Sequence, residues 1–295
     1  MKCIKCKKTA EVELKSHNAA FCRDCFVEFF KNQVIKGIKK FKMFTDKDKL
    51  LVAVSGGKDS LTVWHVLNEL GYKADGLFID LGIDGFSEVA KKTTEAFAER
   101  LSAKLIVVDL KKEGLAIPDV VKKTRRVACA VCGQIKRYYF NMTALKYGYD
   151  VLITGHNLDD EVGRLFSNVL HWKMEYLKDQ SPLLPAEDGL AKKAKPLWRL
   201  TEFETSVYAF FNDIDYVSIS CPLSKNATFR SYKKHLNEIE FDSPGTKIDF
   251  YQGFLKNMLP VLSKKNESSI KNRCKICGYP TLADVCGVCR LKGLD

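Results

Sequence analysis

The stretch from Leu50 to Ser60 constrains this chain more than any other. Leu50-Leu51-Val52-Ala53-Val54 is an unbroken apolar run with β-branched content, the pattern of a strand buried on both faces of a parallel sheet. Leu61-Thr62-Val63-Trp64-His65-Val66-Leu67 then repeats apolar side chains at helical spacing. Between the two lies Ser55-Gly56-Gly57-Lys58-Asp59-Ser60. The hexapeptide therefore sits on a strand–loop–helix turn, where unpaired backbone N–H groups and the helix dipole attract an anion. Gly56 and Gly57 let the backbone approach a phosphate with no Cβ in the way, Lys58 adds a cation, and Ser55 and Ser60 add hydroxyl donors. The bland alternative is a Gly-Gly turn with a solvated lysine. The spacing is not that of the Walker loop, whose two glycines are four residues apart and lead into Lys-Ser/Thr.

The same alternation continues on both sides of the loop. Residues 74–81, 104–110, 150–154 and 215–219 read as strands, and 86–101, 134–147, 157–170 and 201–212 as helices. Repeated β-α units predict an α/β fold, a parallel sheet with helices on both faces. Residues 26–44 read as a basic amphipathic helix, which either packs by its apolar face or touches a polyanion. Residues 114–127 are basic and ambiguous, and 173–195, with Pro182, Pro185 and Gly189, read as a loop. Two helical stretches, 226–240 and 245–262, precede a charged linker at 264–271.

Eleven cysteines in a chain with no apolar leader and no membrane-length apolar run point to metal rather than disulfides in a soluble, cytoplasmic protein. Cys3, Cys6, Cys22 and Cys25 form two C-x-x-C pairs with fifteen residues between them, and Cys274, Cys277, Cys286 and Cys289 two more with eight between. Each quartet offers four thiolates to a tetrahedral zinc, so two Zn2+ are expected, in a ribbon at either end. The expected division is a ribbon at 1–28, a catalytic domain at 29–222, a helical extension and linker at 223–268, and a second ribbon at 269–295. The formal charge of +12 suits a nucleic-acid partner without requiring one.

Cys129, Cys132 and Cys221 remain. A C-x-x-C pair ahead of a helix serves redox, metal or persulfide chemistry. A third thiolate suits a [4Fe–4S] cluster with one iron free of protein, while a catalytic thiol paired with a persulfide carrier stays open. Lys136 would share a helix face with Cys132. Gly155-His156-Asn157-Leu158-Asp159-Asp160-Glu161 follows the 150–154 strand, at the strand end where such sheets bind ligands. Asp160 is the candidate for holding Mg2+ on phosphates, Asp159 suits the helix dipole, and His156 reads as a hydrogen-bonding residue.

The hexapeptide resembles the PP-loop of ATP pyrophosphatases. With both cysteine quartets, Cys129/Cys132, the 155–160 segment and Cys221, nearly the whole chain resembles the TtuA branch of the TtcA/TtuA tRNA 2-thiolation enzymes, close to the wobble-uridine 2-thiolases. The resemblance implies ATP bound by Ala53, Val54, Ser55, Gly56, Gly57, Lys58, Asp59, Ser60, Ile79, Lys136, Gly155 and Asp160. It implies catalysis by Lys58, Lys136 and Asp160, and a [4Fe–4S] cluster on Cys129, Cys132 and Cys221. It further implies tRNA as substrate, adenylation of a uridine O2, and sulfur from a ubiquitin-like protein thiocarboxylate or free sulfide, in a homodimer without membrane association. Position 54 is favoured over the wobble position 34. Another PP-loop synthetase would have no use for the three cysteines, and a zinc-ribbon RNA-binding module would leave the phosphate loop without a purpose.

Overall fold

The computed structural model describes residues 1–187, 189–224, 229–263 and 272–294. A short antiparallel hairpin, β1 (Val12–Leu14) and β2 (Ala19–Phe21), runs into α1 (Arg23–Phe41). Phe26, Phe30, Val34 and Ile38 fall on one side of α1 and are buried in the main core, so this helix packs by its apolar face.

The central unit then alternates β3 (Leu50–Val54), α2 (Lys58–Glu69), β4 (Ala74–Asp80), α3 (Ser87–Arg100), β5 (Leu105–Asp109), α4 (Ile117–Thr124), α5 (Ala128–Lys146), β6 (Val151–Thr154) and α6 (Leu158–Leu170). A short α7 (Met174–Leu177), β7 (Leu183–Leu184), β8 (Lys192–Ala194) and α8 (Glu202–Phe211) follow. The six sheet strands lie in the order β5-β4-β3-β6-β8-β7, parallel except for β7 at the edge. All five residues of β3 are buried. Their two-residue period divides them: Leu50, Val52 and Val54 face the core of α1 and α2, while Leu51 and Ala53 face Ala144 of α5. Helices thus cover both faces, as the alternation predicts. The chain leaves β3 for β4 on one side and returns to β6 on the other, so the strand order reverses between β3 and β6. Ligands gather at that switch point.

Beyond the sheet, α9 (Phe229–Asp242), α10 (Thr246–Gly253) and α11 (Leu259–Ser263) form a helical extension; a π-helical turn over Phe254–Met258 joins the last two. The chain ends in a second small module of β9 (Asn272–Arg273), β10 (Pro280–Thr281) and α12 (Gly287–Leu291). The linker expected at 264–271 lies outside the described residues, as do 226–228 of the first helical stretch.

Three expectations change. Residues 215–219 form no strand; the place beside β6 is taken by β8, and the segment is held by one backbone bond, from Val217 N–H to the Gly56 carbonyl at 2.9 Å. Residues 173–195 are not merely a loop, since they supply α7, β7 and β8. Helix α5 begins at Ala128 rather than at 134, so Cys129 and Cys132 lie within its first turns instead of ahead of it. The ambiguous 114–127 stretch resolves into α4 and a left-handed turn at Arg125.

Candidate active site

A cleft of about 590 Å3 opens at the switch point. Its wall collects Ala53, Val54, Ser55, Gly57, Lys58, Asp59, Ser60 and Ile79 from the β3 and β4 ends, with Gly155 and His156 from the β6 end. Cys129, Cys132 and Lys136 of α5, together with Cys221, complete it. Of the residues expected to bind nucleotide, Gly56 and Asp160 do not line it.

Local bonds shape the phosphate loop. The Ser60 hydroxyl donates to the Gly57 carbonyl at 2.8 Å and accepts from Ser55 N–H at 3.1 Å, closing the turn. Gly56 has a φ of +73°, and a Cβ there would meet the Ala90 carbonyl oxygen at 2.9 Å, so the turn needs glycine on both counts. Gly155 lets the β6 loop pass against this one; its Cβ would sit 2.7 Å from the Asp59 backbone. Lys58 Nζ lies 2.7 Å from Asp59 Oδ1, which also accepts from the Asn157 side-chain amide at 3.2 Å. Burial pushes the Asp59 carboxyl pKa up, against the pull of Lys58.

The start of α6 carries three carboxylates with different duties. Asn157 and Asp160 form a reciprocal capping box: Asp160 N–H donates to Asn157 Oδ1, and Asn157 N–H to Asp160 Oδ2, both at 3.1 Å. The other Asp160 oxygen pairs with Lys233 of α9 at 2.6 Å, and Lys233 also reaches Glu202 at 3.0 Å. Burial alone would raise the Asp160 pKa; Lys233, then His156, outweigh it and hold it below the usual carboxylate range. Asp159 is buried between Lys247, at 2.5 Å, and Glu202 N–H, at 2.7 Å, a structural post. Glu161 is fully buried on Lys195 at 2.7 Å and the Tyr251 hydroxyl at 3.0 Å. His156 bonds the Thr154 hydroxyl at 2.8 Å, and burial, then Lys195, lowers its pKa to about 4, so it is neutral at pH 7.

The three unpaired cysteines meet at the cleft from two elements. Cys129 is exposed, while Cys132 and Cys221 are half-buried. Burial raises the Cys132 thiol pKa, and the neighbouring Lys136 cation pulls against it. The terminal quartets are tighter. In each, the four sulfurs lie within 4.8 Å of one another, which among the described residues no other group of His, Cys, Asp or Glu achieves. Cys6 and Cys22 sulfurs are 3.5 Å apart, and Cys277 and Cys286 3.7 Å. A tetrahedral zinc with Zn–S of about 2.3 Å needs sulfurs about 3.8 Å apart, so both quartets fit one ion each. Cys129, Cys132 and Cys221 do not converge as a quartet does, and their donor set, three thiolates around a shared cavity, fits a larger iron–sulfur group. Cys22 and Cys286 are the N-caps of α1 and α12, and the Cys286 sulfur accepts from Cys289 N–H at 3.4 Å.

Sequence reasoning overlooked Lys233, Lys195 and Lys247, the partners of the α6 carboxylates. No local pattern marks them: they lie 34 to 88 residues from the acids, and only the fold brings them together. It also overlooked Val217, Ile219 and Ser224 along the cleft, because a segment read as a strand offers no reason to line a site.

Comparison with known proteins places these features in context. Residues 2–27 match the family model described as "2-thiouridine synthetase TtuA, N-terminal LIM domain", and residues 30–183 match "PP-loop domain". The tRNA-5-methyluridine(54) 2-sulfurtransferase of Thermotoga maritima is 45% identical over 99% of this chain and 96% of its own. That of Thermus thermophilus is 41% identical over 99% and 91%. Among solved structures, the U34-tRNA thiolase NcsA from Methanococcus maripaludis with its [4Fe-4S] cluster superposes with a TM-score of 0.81 at 26% identity, covering 99% of this chain and 96% of that one.

Proposed function

The chain belongs to the tRNA-5-methyluridine(54) 2-sulfurtransferase family, and from that membership we propose that it 2-thiolates tRNA at position 54 with ATP as activator. The observation that carries the reading is the single cleft shared by the phosphate loop, Lys136 and three cysteines. The loop N–H groups and Lys58 hold the ATP phosphates, and Lys58 exchanges Asp59 for them. The O2 of the base attacks the α-phosphorus and pyrophosphate leaves. A sulfur nucleophile then adds at C2, and AMP departs with the former O2. Lys136, a cation on the cleft wall, faces the charge that develops on the phosphates. Asp160, which does not itself line the cleft, would hold Mg2+ through water on giving up Lys233.

Cys129, Cys132 and Cys221 would hold a [4Fe–4S] cluster, which would supply a Lewis-acid site for hydrosulfide. The quartets hold one Zn2+ each, closed sites that fold the two ends. The domain limits proposed are 1–28, 29–222, 223–268 and 269–295; the matches at 2–27 and 30–183 support the first boundary. The sulfur donor is a ubiquitin-like thiocarboxylate or free sulfide, and the enzyme works as a cytoplasmic homodimer. Among the described residues no helix is long and apolar enough to cross a membrane. Incubation of the cluster-loaded protein with ATP and sulfide should release AMP and pyrophosphate only when unmodified tRNA is present. Release of ADP and phosphate would contradict this chemistry.

A further inference from the structure

Helix α5 has two working sides. One carries Cys129, Cys132 and Lys136 into the cleft. The other is packed against the C-terminal cysteine module: Val131 and Ile135, both fully buried, share one hydrophobic cluster with Cys274, Cys286, Cys289 and Val288. One turn further on, Tyr138 meets Tyr279 with ring centroids 5.0 Å apart, and Cys277 packs against the same cluster. Lys292, just past α12, reaches Glu113 at 2.7 Å, and Glu113 also accepts from the Tyr139 hydroxyl at 2.8 Å. Cys132 and Cys221 themselves rest against this same cluster. The N-terminal quartet has no part in it. Cys3 and Cys22 are buried with Phe26 and Phe30 in the core on the other side of the sheet.

A module this small folds on its metal, so zinc binding energy there is also the energy that keeps its apolar surface against α5. Helix α4 also packs on α5, but the first turn of α5 lies open: Cys129 is exposed, and Val127, just before the helix, is 73% exposed. A helix start without tertiary backing frays. We propose that the zinc-loaded C-terminal quartet is the brace that positions Cys129 and Cys132, with Tyr138 as the link, so that zinc there governs how well the three-cysteine site retains its cluster. The N-terminal quartet has no such influence. The inference rests on the cluster reading of the three cysteines.

Three full-length variants test it, purified without oxygen: Cys286→Ser/Cys289→Ser, Cys3→Ser/Cys6→Ser and Tyr138→Ala. Zinc and iron per chain and hydrogen exchange over residues 128–138 are measured, with ATP binding as the check that the central domain stays folded. Each double variant should lose one zinc. Only the C-terminal one should exchange residues 128–138 at least about tenfold faster in cluster-free protein, and give up its iron faster to a chelator. Tyr138→Ala, which removes the ring packed on Tyr279, should speed exchange over residues 128–138 in the same direction with ATP binding intact. Unchanged exchange and full iron retention in the C-terminal variant would overturn the brace, as would an equal loss in the N-terminal one. Wild-type protein that takes up no iron would sink the cluster reading instead, and the exchange comparison would still decide the brace.

Discussion

Lys58 pairs with Asp59 at 2.7 Å, and Asp160 with Lys233 at 2.6 Å. In the proposed chemistry each pair exchanges a protein partner for a ligand. Lys58→Ala and Asp160→Ala should each reduce tRNA-dependent pyrophosphate release by at least about a hundredfold, with fold and metals retained. A rate within a few-fold of wild type in either would remove that residue from catalysis. Glu161 behaves differently. Burial would raise its pKa, but Lys195, then His156 and Arg164, hold it below the ordinary carboxylate value of about 4.3. A depressed carboxylate contributes stability that is present above the unfolded-state pKa and lost as pH falls through the folded one. Lys195→Met leaves that carboxylate buried without its cation and should cost about 3–5 kcal/mol at neutral pH. The gap between wild type and variant in urea denaturation should narrow below about pH 4. The phosphate loop and the two cysteine quartets were legible residue by residue, because their spacing is local in sequence. Cys221, far along the chain, was joined to Cys129 and Cys132 only as the cysteine left over and by the family resemblance. The lysines that answer Asp159, Asp160 and Glu161 were not legible, since an ion pair across distant elements leaves no spacing to read.

Among elements, β3, α2 and β6 could be placed from sequence because long apolar periods announce them. β7 and β8, of two and three residues, are shorter than any period, and Pro182 and Gly189 nearby argue for a loop. Residues 215–219 carry strand-like residues, yet β8 already pairs with β6, so the segment runs along the cleft and delivers Cys221 there. The contact of the β6 loop with the phosphate loop is where one methyl group matters most. Gly155→Ala would press a Cβ onto the Asp59 backbone, which cannot yield as a flexible side chain can. ATP affinity should fall about tenfold or more, a backbone shift at the phosphate site being the cause. Calorimetric titration reads it; wild-type affinity would show that the two loops move apart freely.

At the scale of the whole molecule, a formal charge of +12 and a cleft that must receive a base from a large polyanion belong together. tRNA affinity should therefore fall about tenfold or more between about 50 and 200 mM salt. A flat salt response would place recognition elsewhere than in phosphate contacts. The central claim is that three thiolates of this cleft hold an iron–sulfur cluster used to thiolate tRNA without net redox change. Its most direct test is nucleoside mass spectrometry, with position mapping, of tRNA treated anaerobically with ATP and sulfide. Zinc-loaded, iron-free protein is compared with the same protein after cluster reconstitution. The account predicts 2-thiolated 5-methyluridine at position 54 with the reconstituted protein alone, and none with Cys129→Ala, Cys132→Ala or Cys221→Ala. Full thiolation by the iron-free protein would contradict it and leave sulfide attacking the adenylated base directly, with no cluster to hold it.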